Sequence, residues 1–426
     1  MKSSTFTAID RQKQIYIGGL GGRKPLVPVH PEALAEQARR KMSKRAWAYI
    51  TGGAGLERSM AYNRAAFAQW RIIPRMLRDV SVRDTSVSLF GHTLPAPFLL
   101  APIGVLELAH QQADLAVARA AAKVGIPMIF SNQASVPMEA CAQAMGASPR
   151  WFQLYWSKSD ELVASLVRRA EQCGCTAIVV TLDTTMLGWR LRDLDLAYLP
   201  FLEGLGIAQY TSDPVFQKMV DRPLPSDEPS LKPPLTLTTL RKIWSLMWRY
   251  PGSFWRNLLT GHPLKAVRTF IQTYSRPSLQ WEDLKRLREM THLPIVLKGI
   301  LHSDDARRAV DYGVNGIVVS NHGGRQVDGA IASLEALPGI VQAVDGRAVV
   351  LCDSGIRTGS DAYVALALGA DAILIGRPYV YGLAIAGQAG VEEVLRNFLA
   401  DFELTMGLAG CRRVTEIRRE RLLSVR

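Results

Sequence analysis

An α/β chain closed into a (β/α)8 TIM barrel is the fold class that the sequence predicts, with an N-terminal helical extension and a long insertion after the fourth strand. Three observations predict it. Eight short apolar runs rich in β-formers lie at 97–101, 127–131, 150–155, 177–182, 294–298, 315–320, 347–352 and 371–375. Segments of helical period, such as 112–124, 159–172, 303–312 and 359–368, separate most of them. The runs are continuously apolar, as strands of a parallel sheet covered on both faces are. Eight such units are the number that closes a barrel.

The elements follow in order. Residues 1–94 precede the first strand and have helical character over 31–50 and 56–69, which predicts an extension capping one end of the barrel. The barrel itself is expected over 95–190 and 292–388, and a C-terminal helix and tail over 389–426. Between them, 191–291 is too long for an ordinary connection. Leu240, Ile243, Trp244, Met247 and Trp248 fall there at i, i+3, i+4, i+7 and i+8, the apolar stripe of an amphipathic helix.

Composition narrows the class. A chain of 426 residues with 48% hydrophobic residues buries a large core and is not disordered. Five cysteines, with Cys173 and Cys175 adjacent but one, do not form a disulfide framework, so a reducing cytoplasm is expected. No long apolar segment occupies residues 1–19, and no run of about 18 apolar residues occurs, so neither a secretory signal nor a membrane span is expected. The formal charge is +13. Most of that excess lies in 231–280, which has no acidic residue but holds Lys232, Arg241, Lys242, Arg249, Arg256, Lys265, Arg268 and Arg276, with Trp244, Trp248 and Trp255 and a turn at Lys232-Pro233-Pro234.

In a barrel the site is assembled just beyond the C-terminal strand ends. Those positions hold Pro102, Ile103 and Gly104; Ser131; Gln153 and Tyr155; Thr181, Asp183 and Arg190; Lys298; Ser320, His322 and Arg325; Asp353, Gly355 and Arg357; and Gly376 and Arg377. Polar residues at every strand end point to a large polar ligand. Gly355, Arg357, Gly359, Gly376 and Arg377 after strands seven and eight read either as turns or as a phosphate site; the two arginines favour phosphate. His322, in a Gly-flanked loop, reads as a general base with Asp183 as its partner, against the alternatives of a structural histidine and a helix cap. Arg190 and Arg325 read either as surface ion-pair residues or as a bidentate carboxylate clamp. No metal is expected.

These residues resemble a known family, the FMN-dependent 2-hydroxy acid oxidases and dehydrogenases. The resemblance runs from about Tyr49 to Ile417. It is carried by Ser320-Asn321-His322-Gly323-Gly324-Arg325-Gln326, and by 48–55 (AYITGGAG), 152–155 (FQLY), 297–299 (LKG), 375–378 (IGRP) and 402–406 (FELTM). The resemblance implies FMN as cofactor, His322 as base and Asp183 as the group that orients it. It implies Arg190, Arg325 and the Tyr49 hydroxyl as the grip on a substrate carboxylate, with Tyr155 on the 2-hydroxyl. Lys298 would lie beside flavin N1 and O2, and Ser131, Gln153 and Thr181 would hydrogen-bond the ring. Asp353, Gly355, Arg357, Gly376 and Arg377 would hold ribityl and phosphate, while Pro102, Ile103, Gly104 and Ser320 complete the cofactor site. Whether the base takes the α-proton or the hydroxyl proton stays open.

Locally, Gly104, the stretch 151–156 and the segment 181–194 are most similar to lactate 2-monooxygenase, and Trp189 stands where glycolate oxidase has arginine. The expected substrate is an L-2-hydroxy acid such as lactate, with molecular oxygen as acceptor, the product being the keto acid or its decarboxylated form. The alternative is a dehydrogenase passing electrons to quinone. The basic insertion accordingly has two readings, a lid over the barrel mouth or a helical segment, 231–280, lying on an anionic membrane. Nucleic acid is not an expected partner; a homotetramer or octamer, cytoplasmic or peripheral at the membrane's inner face, is.

Overall fold

The computed structural model describes residues 7–222 and 234–425. Residues 1–6 of the extension, Lys232 and Pro233 of the expected turn, and Arg426 lie outside the described residues. Eight strands form a closed, wholly parallel barrel: β1 Phe98–Leu100, β2 Met128–Phe130, β3 Arg150–Leu154, β4 Ile178–Thr181, β5 Ile295–Ile300, β6 Gly316–Val319, β7 Val349–Cys352 and β8 Ala372–Ile375. β8 closes on β1, with Ile373 opposite Phe98. All eight coincide with the apolar runs of the sequence.

Alternate residues of each strand feed two cores. Leu99, Ile129, Trp151, Val179, Val296, Val318, Leu351 and Leu374 point inward and fill the barrel, while the others pack outward against the helices. The helices begin where capping side chains relieve their free N–H groups: Ser159 caps Asp160–Gln172, and Thr358 caps Gly359–Ala367.

The extension serves both ends of the barrel. Its hairpin, Val87–Leu89 with His92–Leu94, plugs the N-terminal end, where Leu89 and Leu94 join the inner core and Phe90 lies 5.4 Å from Trp151. At the other end the helical stretch expected over 31–50 is two helices, Pro31–Lys41 and Lys44–Thr51, because Ser43 caps the second one. The helix Arg58–Ala68 is bound to the loop after β6 by a reciprocal amide pair, Asn63 with Asn321, at 2.8 and 2.9 Å.

Two expected boundaries move. The helix Asp283–Met290, placed by sequence in the insertion, is the barrel's own helix between β4 and β5: it buries Leu284 and Leu287 and lies beside the helix Asp160–Gln172. The C-terminal segment is continuous with the last barrel helix in Arg377–Leu408, broken only at Ala386 and Gly387, two residues before the expected start at 389. The secondary structure of the insertion's described residues is helical, without strands. The expected amphipathic helix is Leu237–Arg249, which buries Leu246 and Met247 and leaves Leu240, Trp244 and Trp248 exposed. All five cysteines are free thiols, and no helix among the described residues is long and apolar enough to cross a membrane.

One buried carboxyl braces the rim. Asp114 accepts the N–H groups of Ser135 (2.8 Å) and Val136 (3.2 Å) and so fixes the loop after β2. Burial pushes its pKa up to about 7. Because the folded value lies above the unfolded one, the native state holds the extra proton, and Asp114 costs stability as pH rises from about 4 to about 7. Asp114→Asn keeps an acceptor and removes the charge. Chemical denaturation at about pH 5 and about pH 8 is expected to show the variant losing less stability with rising pH than the parent chain.

Candidate active site

The C-terminal strand ends open into one cavity. Most of the residues expected from the sequence line it: Pro102, Ile103, Gly104, Tyr155, Arg190, Lys298, His322, Arg325, Asp353, Gly355, Arg357, Gly376 and Arg377, with Tyr49 reaching in from the helix Lys44–Thr51. Ser131, Gln153, Thr181, Asp183 and Ser320 stand behind that lining. The first three form a buried chain in which Ser131 Oγ donates to Gln153 Oε1 (3.2 Å) and Gln153 Nε2 donates to Thr181 Oγ1 (3.0 Å).

His322 faces the cavity with a backbone φ of 56°, a left-handed conformation that a residue with a side chain seldom adopts. Its N–H donates to Ser320 Oγ (3.0 Å), and the next N–H, of Gly323, donates to Ser354 Oγ (3.0 Å). The ring Nδ1 lies 2.9 Å from Asp183 Oδ1. That bond assigns the proton to Nδ1 and leaves Nε2 as the free acceptor. Burial pulls the His322 pKa below its ordinary value; Asp183 opposes this, while Lys298 and Arg190 add to it. Burial also acts against the Asp183 charge, yet the imidazole and Lys298 outweigh it and hold the carboxyl below its ordinary value. The resting pair is therefore a neutral imidazole on a carboxylate. Gly299, at φ 108°, permits the approach of β5: a Cβ there would lie 2.9 Å from Asp183 Cβ.

The cations fall into two groups. Lys298 Nζ donates to Ser320 Oγ (2.8 Å) and pairs with Asp353 (3.1 Å), whose carboxylate, with Asp183, keeps the ammonium above its ordinary pKa despite burial. Four arginines have no carboxylate within ion-pair distance among the described residues. Arg325 donates to the carbonyls of Tyr49 (2.7 Å) and Gly52 (2.6 Å), and lies over the Tyr49 ring at 5.2 Å. Arg190 donates to the Arg325 carbonyl (3.2 Å) and to Gln326 Oε1 (3.1 Å). Arg377 donates to the carbonyls of Ile50 (3.2 Å), Gly323 (3.1 Å) and Gly52 (3.2 Å), and Arg357 to that of Ile356 (2.9 Å). Burial, with Arg190 adding repulsion, pushes Arg325 down to about 9; burial and Arg377 push Arg357 down to about 10. These groups lack negative charge, and the cavity between them is where an anion would supply it.

Sequence reasoning missed several residues that line the cavity or stand behind its lining. Gln326 lies in the recognised loop but was given no role; its Nε2 donates to the carbonyls of Asp183 (2.6 Å) and Met186 (2.9 Å), tying the base's partner to the clamp. Asn132 is buried and its Oδ1 accepts the Tyr155 N–H (2.8 Å). Phe201 and Tyr274 come from the insertion, and no local pattern distinguishes them from core aromatics. If Asp183 supports the His322 proton affinity, Asp183→Asn lowers the His322 pKa further; ring-proton shifts of labelled histidine followed against pH check the direction.

Comparisons with known proteins agree with this geometry. Residues 38–424 match the family model described as FMN-dependent dehydrogenase. The FMN-dependent alpha-hydroxy acid dehydrogenase qulF of Penicillium citrinum is 41% identical over 410 residues, 96% of this chain and 94% of its own. The L-lactate oxidase of Lysinibacillus sphaericus is 42% identical over 370 residues, 87% of this chain and 86% of its own. A solved structure of mandelate oxidase with (S)-4-hydroxymandelic acid matches at a TM-score of 0.76 and 37% identity, covering 93% of this chain and 98% of that one.

Proposed function

Since the chain belongs to the FMN-dependent dehydrogenase family and is a 2-hydroxy acid oxidoreductase, we propose that it oxidises an L-2-hydroxy acid with molecular oxygen as electron acceptor. The observation that carries this reading is the set of cations without carboxylate partners among the described residues, Arg190, Arg325, Arg357 and Arg377, which line one cavity together with His322. One pair matches a substrate carboxylate and the other a phosphate.

The residues fit FMN. Arg357 and Arg377 lack a dianion, and a Cβ at Gly376 would meet nothing nearer than 3.9 Å, so the phosphate end has room. Lys298 would sit beside the ring, and the Ser131–Gln153–Thr181 chain would meet its polar edge. Bound there, FMN supplies the two-electron acceptor. The chain's own residues do the rest. Arg190 and Arg325 bind and orient the carboxylate, Tyr49 standing beside them, and Tyr155 contacts the 2-hydroxyl. Burial raises the Tyr155 pKa, so its phenol stays a donor. His322 Nε2 takes a proton, and Asp183 stabilises the imidazolium that results. The depressed His322 pKa keeps the base unprotonated at neutral pH.

His322→Ala is expected to slow flavin reduction by about 10²–10⁴-fold while FMN stays bound; anaerobic stopped-flow absorbance measures it, and unchanged reduction removes His322 from the role. Aerobic turnover of L-lactate tests the acceptor. Oxygen consumption matched to pyruvate and peroxide, or to acetate without free peroxide, supports it; slow oxygen use with fast dye reduction overturns it.

A second reading, electron delivery at a membrane, is favoured by one surface. Trp244, Trp248 and Trp255 are 54%, 65% and 67% exposed, beside exposed Leu237, Leu240 and Leu259. Arg241, Arg249, Arg256, Lys265 and Arg268 surround them without a carboxylate partner among the described residues. Aromatic, leucine and basic side chains together suit an anionic lipid interface. On this reading the holoenzyme floats with phosphatidylglycerol vesicles and Trp248→Ser with Trp255→Ser weakens it; no flotation eliminates the membrane.

A further inference from the structure

We infer that Phe201 and Tyr274, with the ring of Tyr49, form an aromatic wall that selects 2-hydroxy acids bearing a bulky apolar substituent, best an aryl group, over lactate. This rests on the hydroxy-acid oxidation proposed above and names its substrate class.

The polar lining leaves one part of the cavity unaccounted for. Phosphate, ring and carboxylate positions use the ends of the strands, whereas the apolar residues Met186, Leu187, Phe201 and Tyr274 all follow β4. Phe201 meets Tyr49 edge to face at 6.3 Å and lies 6.4 Å from Tyr274. Since Tyr49 also lies under Arg325, the rings stand next to the carboxylate clamp, where the substituent on the 2-carbon must go.

The wall is braced. Phe270, fully buried, stacks on Tyr274 at 5.0 Å and packs on Phe201 at 5.3 Å, and Tyr210 backs it at 4.8 Å. The backbone on either side of Tyr274 is fastened to the barrel. The Thr273 carbonyl accepts from Lys158 N (2.9 Å) and Ser157 Oγ (2.8 Å), the Ser275 hydroxyl donates to the Thr185 carbonyl, and Arg276 pairs with Asp160 at 2.8 Å. These rings hold their positions before any substrate arrives. A methyl group leaves their faces without contact, whereas an aryl group meets them in edge and offset geometry. Met186 and Leu187, 70% and 49% exposed, border the opening and leave room for length.

The test compares L-lactate, L-3-phenyllactate and L-2-hydroxyoctanoate as reductants of the holoenzyme's flavin, without oxygen. An apolar pocket distinguishes substrates by about 10–200-fold per methylene-sized difference, so 3-phenyllactate is expected to exceed lactate at least about 10-fold in reduction efficiency. Tyr274→Ala and, as the milder change, Phe201→Leu should each lower that ratio, with FMN retention reporting that the variants fold. Lactate matching 3-phenyllactate, or a ratio unmoved by both variants, overturns the inference. Calorimetry with phenylacetate and acetate, which are not oxidised, separates the two levels. If no acid reduces the flavin, the oxidation reading fails; if phenylacetate then still binds at least about 10-fold tighter than acetate, and Tyr274→Ala removes the difference, the wall stands.

Discussion

Four guanidiniums without carboxylates, that of Arg190 buried and those of Arg325, Arg357 and Arg377 half-buried, dominate the barrel mouth. Burying a charge is tolerable only with compensation, and here the compensation within the chain is partial: backbone carbonyls of Tyr49, Ile50, Gly52, Gly323 and Arg325 accept the N–H groups but bring no net charge. Much else follows from that constraint. The helix Lys44–Thr51 is held at the rim because its carbonyls are the acceptors, and the loops after β4, β6 and β8 converge because their arginines share those carbonyls. The remaining deficit is what the proposed function assigns to the anionic parts of cofactor and substrate.

The barrel was legible because each strand, covered on both faces, is a continuous apolar run bounded by polar ends. The chemistry was legible for a related reason: strand ends are where side chains such as His322 and Asp183 can meet regardless of what lies between them. Other features depend on contacts distant in sequence. Nothing local marks Phe201 or Tyr274 as cavity residues rather than core. The helix Asp283–Met290 was absorbed into the insertion because its amphipathic pattern matches that of the helices before it. The stripe from Leu240 to Trp248 has the right period for burial, but period states only that a face is apolar, not that a partner covers it.

The insertion has two unlike parts. Its inner part, Phe201, Tyr210, Phe270 and Tyr274, is an aromatic core continuous with the barrel. Its outer part, Leu237–Arg249 and Phe254–Thr260, exposes tryptophans stacked around Phe254 at 4.5 and 4.9 Å. The chain's positive excess therefore has two origins, the arginines that line the cavity and the stretch 231–280, which has no acidic residue of its own.

The carbonyl oxygen of Gly52 accepts from both Arg325, in the loop after β6, and Arg377, after β8. One peptide thus joins two repelling clusters. The two guanidinium groups share one acceptor and are therefore neighbours, so a displacement of this single peptide disturbs both arginines together.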